Sequence, residues 1–101
     1  MFPKHKRIKD NKVMKKCRLE NCEYCGAPAS GEPHHIVTRG SGGADIRENL
    51  IQLSCNNSCH DKAHRGLITK DVLFSIVSRR EGISVDECKR RINKAKGHGV
   101  M

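Results

Sequence analysis

The sequence contains no Trp, one Tyr and two Phe in 101 residues. A chain of this length is expected to form one domain, and here it has no large aromatic core. Domains this small bury a modest share of their surface, so crosslinks or metals often complete them. No apolar run approaches the roughly 20 residues of a membrane span, so no membrane partner is expected. The basic beginning of the chain has none of the apolar stretch a secretory signal needs. A cytoplasmic location is therefore expected, where cysteines read as metal ligands before they read as disulfides. Acidic residues are also scarce. The 11 Asp and Glu face 20 Lys and Arg, for a formal charge of +9, which favours a polyanionic partner.

The charge is uneven. Lys4, Lys6, Arg7, Lys9, Lys12, Lys15, Lys16 and Arg18 crowd the first segment, with Asp10 the one acid among them. Such a run suits sequence-independent contact with backbone phosphates. Val13 and Cys17 are spaced for a short helix; an arm that orders on nucleic acid and a plainly solvated run are the other readings. A second basic cluster is Lys89, Arg90, Arg91, Lys94 and Lys96.

In place of aromatics the chain has six Cys and six His. Cys22-x-x-Cys25 and Cys55-x-x-x-Cys59 are two short pairs from distant parts of the chain. Together they supply the four soft ligands of a closed, structural zinc site. Free thiols or two disulfides are the rival readings. Cys88 fits an apolar helix face, and Cys17 is a weaker competitor as ligand.

The histidines form a second constellation. Residues 34–38 read as a strand, so His34 and His35 point to opposite sides, one to a metal and one to a substrate. His60 and His64 lie one turn apart on a helix expected from His60 onward, and so share a face that can hold a metal. Gly40, Gly42 and Gly43 make 39–45 a loop, and residues 49–54 return as a second strand. Further on, Thr69 caps a helix with Val72, Leu73, Ile76 and Val77 as its apolar stripe, ended by Gly82. Ser84 and Glu87 form a capping box for a last helix. Val85, Cys88, Ile92 and Ala95 line its buried face, and Gly97 ends it.

Residues 22–64 resemble the HNH endonucleases in their cysteine-flanked form. The likeness runs through Cys22-x-x-Cys25, His34-His35-Ile36, the Gly-rich loop, Asn49-Leu50, Leu53, Cys55, Cys59-His60 and His64. The extra residue between Cys55 and Cys59 departs from the pattern. The resemblance implies an α+β fold with a ββα-metal core. The expected organisation is a basic arm or helix at 1–20, the core with its structural zinc at 21–66, and a helical pair at 67–101.

It also implies roles. His35 matches the general base, and Asn49 the residue that orients the loop and the base. His34, His60 and His64 match ligands of one catalytic divalent cation. Arg39, just after the base strand, is placed to reach the scissile phosphate. Imidazole ligands suit Zn2+ or Ni2+, while the family allows turnover with Mg2+ or Mn2+. The implied activity is single-metal hydrolysis of phosphodiesters in DNA, expected to be double-stranded, by a phage or bacterial protein. Cutting both strands with one active site calls for a homodimer or a DNA-processing partner. The alternative is a zinc-containing module that binds nucleic acid without cutting it.

Overall fold

A computed structural model describes residues 9–95. It is α+β: a two-stranded antiparallel sheet and, among the described residues, four helices. Helix α1 spans Asn11–Lys16. Asp10 caps it by accepting the backbone N–H groups of Lys12 and Val13, and Met14 and Cys17 bury its inner side against Leu50. Lys4, Lys6, Arg7, Lys96 and Gly97 lie outside the described residues.

Strands β1 (His34–His35) and β2 (Leu50–Ile51) pair with His34 opposite Ile51 and His35 opposite Leu50. Both are shorter than the sequence predicts, because side chains take over the ladder. After His35, the N–H of Ile36 still donates to the carbonyl of Asn49, but the N–H of Val37 donates to the Asn49 side-chain oxygen. The chain then turns into a 3-10 segment at Arg39–Ser41. Past Ile51, the N–H of Gln52 donates to Glu23 and that of Ser54 to the Gln52 side chain. Gly43 seals the intervening loop: a Cβ there would stand 1.8 Å from the carbonyl oxygen of Val37, so no other residue fits without displacing the backbone.

Helix α2 (Cys59–His64) follows β2 and starts one residue earlier than expected. Helix α3 (Lys70–Glu81) is capped by Thr69, which accepts the N–H of Val72, and ends at Gly82 with φ +70°. Its stripe is displaced from the predicted one. Val72 is exposed and Ile76 half-buried, while Leu73, Phe74 and Val77 enter the core. Helix α4 (Val85–Lys94) is capped by the Ser84 hydroxyl accepting the N–H of Glu87. The capping box is only half made, because the Glu87 carboxylate turns to Arg90 and Arg91. The helix closes at Ala95, where the cap N–H bonds back into the last turn.

One apolar cluster joins both ends of this arrangement. Cys22, Ile36, Ile51, Leu53 and Cys59 pack with Ile68, Leu73, Phe74, Val77, Cys88 and Ile92. The last two helices thus complete the core under the sheet. Arg80 of α3 reinforces the junction, donating to Glu23 and to the carbonyls of Leu50 and Arg47. Its charge is kept despite burial because Glu81 and Glu23 accept its hydrogen bonds. No helix among the described residues is long and apolar enough to cross a membrane.

Candidate metal and active site

The four cysteines of the two short pairs converge. The sulfurs of Cys22, Cys25, Cys55 and Cys59 all lie within 4.8 Å of one another, with Cys25 and Cys55 at 3.5 Å. A tetrahedral site with metal–sulfur bonds of about 2.3 Å has sulfur–sulfur edges of roughly 3.8 Å, so this donor set fits a structural zinc ion. The extra residue in Cys55-x-x-x-Cys59 is absorbed at Ser58, which adopts φ +61° and ψ +30° ahead of α2. The surrounding backbone favours thiolate. Cys25 is lowered to about 6, first by the N–H of Ala27 and then by the Asn57 amide. At Cys55 burial is outweighed by the N–H groups of Cys59 and Asn57, and the net direction is also downward. Burial pushes Cys22 and Cys59 up. Cys17 packs with Met14 and Leu50, and Cys88 with the main core; neither belongs to the group of four.

The histidines form a second group. The strand alternation of β1 sends His34 toward α2 and His35 toward the Gly-rich loop. The His34 ring lies 4.9 Å from that of His60 and 5.0 Å from that of His64, between centroids. The Nε2 atoms of His60 and His64 approach to 3.0 Å, as expected for one helical turn. One nitrogen from each of the three rings lies within 4.8 Å of the others. Burial, followed by the charges of His60 and His64, lowers His34 to about 4. His60 is also lowered, first by burial and then by His64. Both rings are therefore neutral near pH 7, with lone pairs available to a cation. Three converging imidazoles are a fitting donor set for a divalent transition ion.

His34, His60 and His64 share a cleft of about 420 Å³ with His35, Thr38, Arg39 and Glu32. Asn49 is not part of that lining. It is fully buried, and its side-chain amide donates to the carbonyls of Val37 (3.0 Å) and Ala44 (3.1 Å), holding the Gly-rich loop closed. The described hydrogen bond of the His35 ring goes instead to Asp45, whose Oδ1 stands 2.7 Å from Nε2. In the sequence Asp45 reads only as the end of the glycine loop. An acid ten residues beyond the His doublet was the one available signal.

Of the basic run, Lys9, Lys12, Lys15, Lys16 and Arg18 are described and all exposed. A second hollow, bounded by Lys9, Asn11, Met14 and Arg18, shares Glu32 and Arg39 with the histidine cleft. Helix α1 thus flanks the site, with Arg18 paired to Glu32. The later cluster is largely neutralised within the chain. Arg91 bonds Glu48 and Glu87, Arg90 bonds Glu87, and Lys89 lies near Asp71 and over the Phe74 ring.

Residues 22–66 match the family model of the HNH endonucleases. They form an HNH domain. No curated protein and no solved structure matches the chain. The HNH domain contains both ligand clusters, β1, the Gly-rich loop, β2 and α2, whereas α1, α3 and α4 lie outside the matched segment. The match over this segment suggests a nuclease or nucleic-acid-binding role, with nucleic acid as the class of molecule engaged.

Proposed function

We propose that the protein is a metal-dependent endonuclease that hydrolyses phosphodiester bonds in double-stranded DNA with a single catalytic cation. The observation that carries this reading is the convergence of three imidazoles with His35 and Arg39 on one open cleft. A domain that only bound nucleic acid would need the cysteine site and the charge, but not this second ligand set. His34, His60 and His64 would hold a divalent ion, which would supply Lewis acidity to the phosphodiester. His35 takes a proton from the attacking water, a task suited to an imidazole near pH 7. Arg39 donates to a non-bridging oxygen of the scissile phosphate. Asn49 acts through the loop, keeping Arg39 and the His35 strand in register. Lys9, Lys12, Lys15, Lys16 and Arg18 of the α1 region hold the backbone of the duplex beside the cleft, and Lys4, Lys6 and Arg7 add to the same basic run of sequence. Cys22, Cys25, Cys55 and Cys59 would hold a zinc ion with no position left open, so its part would be structural.

The test is plasmid cleavage by the purified chain and by His35→Ala, each with EDTA, Mg2+, Mn2+, Ni2+ or Zn2+. Metal-dependent cutting that falls by about 10²–10⁴-fold in the variant is the expected result for a general base. A wild type that binds DNA and leaves it intact with every ion favours the non-catalytic zinc module.

A further inference from the structure

Building on the reading of His35 as base, we propose that Asp45 is its positioning residue and that Asn49 acts on the base through Asp45. Both members of the pair are buried, with Asp45 3% and His35 8% exposed. The Oδ1 atom of Asp45 lies 2.7 Å from Nε2 of His35, while Oδ2 accepts the backbone N–H of Asp10 at 2.9 Å. A carboxylate taken out of water has to be hydrogen-bonded, and this one is held on both oxygens by groups from different parts of the chain. One contact comes from β1 and the other from the residue that caps α1.

The placement of Asp45 follows from the residue before it. The carbonyl of Ala44 accepts from the Asn49 amide, and Gly43 allows the loop to lie against Val37. Asn49 therefore fixes the backbone at Ala44, the backbone directs the Asp45 carboxylate, and the carboxylate orients the ring. An ionised carboxylate can only accept, so the bond to it puts the His35 proton on Nε2 and the lone pair on Nδ1. In the reaction the water O–H bond breaks and its proton goes to Nδ1. The hydroxyl oxygen bonds to phosphorus, the bond to the 3′ oxygen breaks, and that oxygen is protonated by solvent. Asp45 stays ionised throughout and faces the imidazolium it helps to form, as the buried acid of a Ser-His-Asp triad does.

The decisive measurement is the tautomer of His35 in the zinc-loaded full chain, read from the ring nitrogens by 15N NMR above neutral pH. The wild type is expected to carry its proton on Nε2, and Asp45→Asn to lose that single tautomer while the amide spectrum outside the loop is retained. A wild-type proton on Nδ1 overturns the proposal, even if the variant fails to fold. Kinetics supply the second readout. Asp45→Asn should lower kcat for plasmid cleavage by about 10²–10⁴-fold, by analogy with the triad acid, with KM for DNA within about threefold. It should add no further loss in a His35→Ala background. An Asp45→Asn variant that cuts like wild type, where His35→Ala does not, also overturns it. If the wild type does not cut at all, the nuclease reading fails and the tautomer still decides the role of Asp45.

Discussion

Asn49 offers a severe test of how the site is built. Replacing it with Ala removes three hydrogen bonds at once: from Val37 N–H at 2.7 Å, to Val37 C=O at 3.0 Å and to Ala44 C=O at 3.1 Å. A buried group left without a partner costs about 1–3 kcal/mol. Ala44 is fully buried, so its carbonyl bears about 2 kcal/mol of that. Val37 is only half-buried, and water can recover part of the loss at its two groups, leaving about 1 kcal/mol for each. The sum is about 4 kcal/mol, which for a domain of this size lowers Tm by roughly 15 °C or more. Asn49→Asp should be worse than Asn49→Ala. It keeps an acceptor for Val37 N–H but turns a carboxylate oxygen toward two carbonyl oxygens. Thermal unfolding followed by circular dichroism, with urea titration for the free energy, measures both. A loss under about 1 kcal/mol in Asn49→Ala, or an Asp variant as stable as the Ala one, would refute the account of the loop.

The remaining expectations are as follows. Removing the cation from the cysteine site, by a strong chelator or by Cys25→Ala, should abolish the cooperative thermal transition. Apparent zinc-binding energies of about 10–16 kcal/mol in small zinc domains are comparable to or larger than the stability of a typical domain, about 5–15 kcal/mol; a chelated chain that melts like the loaded one would exclude a structural metal. Ser58 holds a left-handed backbone conformation at the extra knuckle residue, so Ser58→Val should cost about 1–3 kcal/mol and Ser58→Gly less than about 1 kcal/mol, as read by urea denaturation. Exchanging Lys12, Lys15 and Lys16 together for Gln should reduce the slope of log affinity against log salt by up to about 3 in a fluorescence binding assay on duplex DNA. The same exchange at Lys89 and Arg90, which already face Asp71 and Glu87, should change it by less than 1. The Glu81 carboxyl sits below its ordinary value of 4.5, chiefly through its hydrogen bonds with Arg47. Its contribution to stability is thus present above that pH and lost as pH falls through the lowered value. The stability gap between wild type and Glu81→Gln should therefore close on acidification, in urea titrations at a series of pH values.

What the sequence determined by itself was the chemistry that depends on local spacing. Cys22 and Cys25, Cys55 and Cys59, the His doublet and the one-turn pair His60 and His64 each form a unit whose members are neighbours in the chain. Their grouping can be read before any fold is known. The caps at Thr69 and Ser84 are legible for the same reason, since a cap acts within one turn. Tertiary structure decided which units meet, and what became of the hydrogen bonds where they meet. The strands stop early because Asn49, Gln52 and Glu23 replace backbone partners, a substitution that strand periodicity cannot reveal. The stripe of α3 rotates from Val72 to Phe74 because the core lies on both the sheet side and the α4 side of that helix. The later basic cluster is neutralised by Glu48 and Asp71, each distant in sequence. Asp45 acquires its place only when the loop folds over β1, because a buried carboxylate is defined by the partners that long-range packing brings to it.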